Sequence, residues 1–262
     1  MARLCTLSSG SKGNSTYISY NGGAILVDAG ISYKSMIPLL DSVGGDISQI
    51  KAVAITHTHS DHTKGLKTFL KNTKIPLIAS EQTLQTLAQS NMIPETTKTF
   101  AVSEKGLAVD EVFIDFFKTK HDAEGSGGYV ISLPDGRRAA VCTDLGIVTD
   151  EVRSKILGCD TVLIESNHDV EMLRRGPYAA QLKLRILSDT GHLSNNACAV
   201  ELPNLLKSGT TRIILGHLSE ENNTPILAKS SATAMLDSIG AKEDIDYILT
   251  IAKPRSAGVT VF

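Results

Sequence analysis

Five apolar runs in this chain end in a histidine or an aspartate, and that repetition constrains the fold more than any other feature. Ala24-Ile25-Leu26-Val27 leads into Asp28, Ala52-Val53-Ala54-Ile55 into Thr56-His57, and the 112–117 run into Lys118-Thr119-Lys120-His121. Val141 leads into Cys142-Thr143-Asp144, and Ile213-Ile214-Leu215 into Gly216-His217. Apolar runs this short have the pattern of buried strands. A buried strand delivers the side chain at its end rigidly to one edge of a sheet, so the five endings predict one convergent polar site.

Further strand candidates lie at 17–20, 129–131, 139–141 and 162–164, with Pro134-Asp135-Gly136-Arg137 as a hairpin turn between two of them. Helix signals fall between strands. Ser80-Glu81-Gln82-Thr83 opens a run carrying Leu84 and Leu87, and Ser194 opens a run to Leu206 with Ala197, Val200, Leu202 and Leu205 apolar. The first half is richer in strands, the second alternates strands with helices, and no linker or internal repeat interrupts them. This predicts an α/β sandwich with helices outside, as one domain over 1–262.

The 42% hydrophobic content over 262 residues suits a chain with a sizeable core. The start, Met1-Ala2-Arg3-Leu4-Cys5-Thr6-Leu7, lacks the charged and then long apolar pattern of an export signal, and no apolar stretch is long enough to span a bilayer. A soluble, cytoplasmic protein is therefore expected. Cys5, Cys142, Cys159 and Cys198 are widely spaced without a CxxC pair, which argues against a disulfide framework or a thiolate metal site. A net charge of −2 means that any surface for nucleic acid must be local.

The densest signal is His57-Thr58-His59-Ser60-Asp61-His62. In an extended segment His57 and His59 project to the same side, and Asp61 and His62 follow as the chain turns toward a helix. A lone histidine in a polar turn is an ordinary surface residue. Three histidines and an aspartate in six residues, just after an apolar strand, read as a ligand set. Imidazoles joined by carboxylates suit zinc, manganese or iron in a hydrolytic site better than magnesium, calcium or a thiolate structural site.

The six-residue run resembles the HxHxDH signature of the metallo-β-lactamase superfamily, and the other strand endings resemble its later motifs in order, from about Leu7 to Pro225. The resemblance implies a four-layer αββα sandwich and two divalent metal ions, zinc or manganese, with iron as a further option. It assigns His57, His59 and His121 to one ion and Asp61, His62 and His217 to the other. Asp144 would bridge them, and Asp28 would orient ligands by hydrogen bonds. Paired ions lower the pKa of a shared water and neutralise charge developing on a substrate oxygen, so hydrolysis is expected, with Asp61 among the catalytic residues.

Three segments bear on the substrate. Ser188-Asp189-Thr190-Gly191-His192-Leu193-Ser194, followed later by Gly216-His217-Leu218-Ser219, is similar to the paired late motifs of the ribonuclease Z branch. That similarity gives His192 a role in protonating the leaving oxygen or stabilising transition-state charge. The 174–185 stretch carries Arg174, Arg175, Lys183 and Arg185 with Tyr178 and no acid. It reads as a track for a phosphate backbone with a stacking ring, or as a solvated helix face. Ser8 to Ser15 offers backbone N–H groups and Lys12 to a phosphate, although an ordinary turn explains it equally well.

Together, Ser9-Gly10-Ser11-Lys12-Gly13-Asn14, Glu165-Ser166-Asn167-His168-Asp169, Glu171-Met172-Leu173, Arg185-Ile186-Leu187-Ser188-Asp189 and His217-Leu218-Ser219-Glu220-Glu221-Asn222-Asn223 closely resemble the YycJ/WalJ group. This implies a metal-dependent DNA exonuclease of 5′-to-3′ polarity linked to DNA repair. For His168 two readings stand, a histidine oriented by Glu165 beside the site or a satisfied structural one. The rival functions are a small-molecule (cyclic) phosphodiesterase or another hydrolase of the same fold and, outside enzymes, a metal- or nucleic-acid-binding module.

Overall fold

The computed structural model describes residues 1–262. The first sheet is built from β1 (Arg3–Ser8), β2 (Ser15–Tyr20), β3 (Gly23–Val27), β4 (Ile50–Ala54), β5 (Leu77–Ala79) and β6 (Thr99–Ala101). The second is built from β7 (Leu107–Val109), β8 (Val112–Lys118), β9 (Gly127–Ser132), β10 (Arg138–Cys142), β11 (Thr161–Glu165), β12 (Arg212–Gly216) and β13 (Ile248–Ile251), after which β14 (Gly258–Val261) returns to pair with β1. Helices α1 (Tyr33–Ser42), α2 (Ser60–Thr63), α3 (Leu66–Thr73) and α4 (Glu81–Gln89) belong to the first half. Helices α5 (Asp150–Ile156), α6 (Val170–Arg175), α7 (Ala180–Ile186), α8 (Asn195–Lys207) and α9 (Pro225–Asp237) belong to the second.

Alternation along the buried strands produces the layers. In β3, Ile25 and Val27 join Ile114, Tyr129, Val141 and Leu163 in a core between the two sheets. Ala24 and Leu26 face the other way, against Met36, Leu40, Phe69 and Leu87 of the first-half helices. In β11, Leu163 points inward, while Val162 and Ile164 pack outward on Val152, Cys198, Leu202 and Leu236. Three apolar layers separate four layers of backbone, which is the αββα sandwich. Strands buried on both faces must be apolar at every position, which is why their runs were continuous.

Strand direction then places the site. In the first sheet β3, β4, β5 and β6 run parallel, and β1 shares their direction because it is antiparallel to β2, which is antiparallel to β3. In the second sheet β10, β11, β12 and β13 run parallel, and β8 shares their direction through β9. All five predicted endings, together with those of β1 and β11, therefore open on one edge of the sandwich. Side chains at the carboxyl ends of parallel strands converge there.

Six strands escaped the sequence reading: β1, β5, β6, β7, β13 and β14. β6 and β7 have three residues each, β6 exposed and β7 partly exposed, too short to stand out as runs. β5 has only three residues, and β1 alternates polar with apolar residues. No helix is long and apolar enough to cross a membrane. The four cysteines are free and buried.

Candidate metal centre

Asp28 fixes the first imidazole. Its Oδ2 lies 2.7 Å from His62 Nδ1, while Thr56 donates to the same carboxylate from its backbone N–H (2.9 Å) and its hydroxyl (2.9 Å to Oδ2). Binding Nδ1–H this way leaves His62 Nε2 free to ligate. Tyr129, fully buried on β9, donates to the Ile55 carbonyl at 2.7 Å and anchors the chain just before His57. Gly30 is needed for close approach, because a Cβ there would sit 1.7 Å from the Asp61 carbonyl oxygen. Ala29 accordingly donates to His62 O, and Asn14 donates to Asp61 O at 2.7 Å.

The donor atoms of His57, His59 and His121 lie within 4.8 Å of one another, as do those of Asp61, His62 and His217. His121 gives Nδ1–H to the Gly191 carbonyl (3.0 Å) and turns Nε2 to His59 Nδ1 at 3.2 Å. Asp61 Oδ2 is 3.4 Å from both His62 Nε2 and His217 Nε2. Asp144 lies between the sets, with Oδ2 at 3.2 Å from His62 Nε2 and Oδ1 at 3.8 Å from His121 Nε2. The structure thus brings all seven sequence-named ligands together.

This donor set fits divalent metal ions. His57 Nε2 and Asp144 Oδ2 are buried without a hydrogen-bond partner, an expensive arrangement unless a cation binds them. Burial and the neighbouring imidazoles push the His57 pKa well below its ordinary value, which keeps the ring neutral, as a ligand must be. Nitrogen and carboxylate donors without thiolate match zinc- or manganese-class sites.

Glu165 ties the late histidines together. Burial works to raise its pKa, but His192 and His217 hold the carboxyl below its ordinary range. Its Oε1 accepts from His217 Nδ1 at 2.7 Å and His192 Nδ1 at 2.9 Å, and its Oε2 accepts from the backbone N–H groups of Leu145 and Leu193, each at 3.1 Å. His217 Nε2 is thereby aimed at Asp61. His192 keeps Nε2 without a protein partner on the wall of a 320 Å³ cavity, beside His121, Asp144 and His217.

His168 corrects the expectation. All four acceptor positions of Glu165 are taken, and both His168 ring nitrogens are buried without any partner, so this residue is neither oriented by Glu165 nor satisfied. Burial depresses the His168 pKa to about 4, against its ordinary 6.5. The unfolded chain binds this proton below pH 6.5 while the folded chain refuses it until about 4, so the stabilisation is full above pH 6.5 and is lost as pH falls through that window. Urea unfolding at pH 7 and pH 5 is expected to show wild type losing about 2 kcal/mol more than His168→Gln. Equal pH dependence would show that His168 does not titrate this way.

The basic residues divide. Arg185 pairs with Asp122 on the cavity wall, where Tyr178 and Leu182 also lie. Arg174 and Arg175 both pair with Glu171 (3.2 and 3.4 Å), and Lys183 donates to the Arg174 carbonyl at 2.7 Å. None of these three lines the metal cavity. Lys12 pairs with Glu220 and lines a neighbouring cavity instead. Asn14 was missed as a site residue: its Nδ2 lies 3.1 Å from Asp61 Oδ2 and 3.0 Å from His62 Nε2. The only signal for it was its place in the Ser9–Asn14 motif.

Three backbone positions at the site carry positive φ outside glycine: Asp28 at 62°, Asp144 at 60° and His217 at 55°. Each immediately follows a strand or lies two residues beyond one, and the left-handed turn swings its side chain across the sheet edge.

Residues 24–218 match the β-lactamase superfamily domain. The chain is 35% identical over 254 residues to the exodeoxyribonuclease WalJ of Streptococcus pneumoniae, covering 96% of this chain and 94% of that protein. It is 35% identical over 236 residues to the exodeoxyribonuclease YycJ of Bacillus anthracis, covering 89% of each. Among solved structures, the metallo-β-lactamase fold protein YhfI from Bacillus subtilis superposes with a TM-score of 0.72 over 99% of this chain and 100% of that one, at 16% identity, a likeness of fold. By its sequence and its fold the chain belongs to the metallo-β-lactamase superfamily, within the YycJ/WalJ-type group.

Proposed function

We propose that this protein, a metal-dependent phosphodiester hydrolase, is a DNA exonuclease of 5′-to-3′ polarity with a role in DNA repair. The observation that carries the reading is the shared Glu165 carboxylate, which holds one imidazole as a ligand and leaves a second, His192, facing the cavity as a proton carrier. A β-lactam or thioester site needs no such second imidazole. The names of the WalJ and YycJ relatives support DNA as the substrate, and the polarity and repair role follow from the group resemblance.

His57, His59, His121, Asp61, His62, His217 and Asp144 would hold divalent ions, which when bound would supply Lewis acidity toward water and toward the phosphate oxygens. The chain's own groups do the remainder. Although burial disfavours its charged form, the Glu165 and Asp144 carboxylates raise the His192 pKa, so Nε2 carries a proton for the oxygen leaving phosphorus. Glu165 holds the other nitrogen and so fixes the tautomer. Asp61, with 20% of its side chain exposed against 3% for Asp144, is the carboxylate positioned to orient the attacking water. Tyr178 offers a face for base stacking, and Arg185 offers a charge for phosphate.

Incubation of the manganese-loaded protein with 5′-labelled duplex DNA is expected to release labelled mononucleotides first. Turnover of cyclic or nitrophenyl phosphodiesters without DNA cleavage under any divalent metal would instead identify a small-molecule phosphodiesterase.

A further inference from the structure

A second cavity of about 880 Å³ adjoins the metal cavity and shares Ser11, Ser60 and Asp61 with it. Lys34 of α1, Lys64 between α2 and α3, and Arg255 in the β13–β14 loop line it, and Asp61 is its one acidic residue. These three cations are exposed, and none has a carboxylate within ion-pairing distance or any side-chain hydrogen bond, unlike the cations of the 174–185 stretch and Lys12. A cation held by an internal partner must surrender it to bind phosphate. A free cation releases only solvent and counterions.

We infer that this groove is a binding site for one strand of the polynucleotide, holding the backbone beyond the scissile phosphate on Lys34, Lys64 and Arg255 as it passes over Ser60 and Asp61 to the metals. This rests on the nuclease reading and adds the path the substrate takes. The size agrees with it: the metal cavity is 320 Å³, whereas the adjoining 880 Å³ cavity adds room for several linked units. The charge agrees as well, because a single small phosphodiester needs no line of cations leading away from the metals.

The test compares the manganese-loaded wild type with the triple variant Lys34→Ala, Lys64→Ala, Arg255→Ala. Binding of a fluorescent, phosphorothioate-linked single strand of about 20 nucleotides is followed by anisotropy across a salt series, with metal content and Tm reporting that the variant is folded and loaded. The expected result is a dissociation constant weaker by on the order of tenfold at low salt, and a slope of log K against log salt reduced by about 2, from about 0.7 per lost contact. The variant should also lose the wild type's preference for a long strand over a trinucleotide. A wild type that binds and cleaves DNA, beside a triple variant with the same slope and affinity, would overturn the groove while leaving the nuclease reading intact. A wild type that neither binds nor cleaves DNA would overturn both.

Discussion

Asp144→Asn is expected to leave the chain folded, with fewer than two metal ions bound, and to lower phosphodiester hydrolysis by roughly 10³-fold or more. The side chain is almost completely buried, and it faces His62 and His217 from one set as well as His121 from the other. The seven candidate ligands include only two carboxylates, so this substitution would halve the negative charge they offer to bound metal. An amide preserves the shape while supplying neither that charge nor a second anionic oxygen. Metal content by elemental analysis, set beside turnover of DNA, checks the expectation. Two bound ions with wild-type turnover would remove Asp144 from the metal centre.

The second large effect separates His192 from its anchor. His192→Ala should lower kcat by about 10²–10⁴-fold with metal content nearly unchanged, the cost of losing a positioned proton donor. Glu165→Gln should lower both kcat and metal content. A Gln side chain has one acceptor oxygen and one donor NH2, whereas Glu165 accepts from two imidazoles on one oxygen and from two backbone N–H groups on the other. Whichever way the amide turns, one pair of buried donors faces another donor, at a cost of about 1–3 kcal/mol for each unsatisfied group. His217 then loses its aim together with His192. An equal loss of metal from His192→Ala would make His192 structural, and unchanged metal content in Glu165→Gln would mean that His217 needs no anchor.

The candidate metal ligands could be named from sequence because four apolar runs lead into them, one of these into the whole 57–62 cluster, and an apolar run is the visible trace of a strand buried on both faces. His121 and His217, far apart in the chain, could be joined to His57 by that rule together with the family resemblance. Three-residue elements such as β6 and β7 are too short to leave such a trace. The surface charges were illegible for another reason. The 174–185 stretch reads as uniformly basic along the chain, but in space it meets Glu171 and Asp122, both outside the stretch. Lys34, Lys64 and Arg255 look incidental in sequence and converge only through the packing of α1, the α2–α3 junction and the β13–β14 loop. His168 differs from its reading because the acceptors of its sequence neighbour Glu165 are filled by His192, His217 and two backbone N–H groups.

The left-handed turns at Asp28, Asp144 and His217 also limit how the centre can change its metal. Aspartate, asparagine and histidine tolerate that backbone, whereas glutamate, cysteine or a β-branched residue placed there pays about 1 kcal/mol or more before any coordination is considered. Ligand exchange at positions 144 and 217 is therefore free of backbone cost only among aspartate, asparagine and histidine. Adaptation of this scaffold to another ion, by selection or by design, should run through His59, Asp61 and His121, whose backbones carry no such restriction, while the strand-end turns stay fixed.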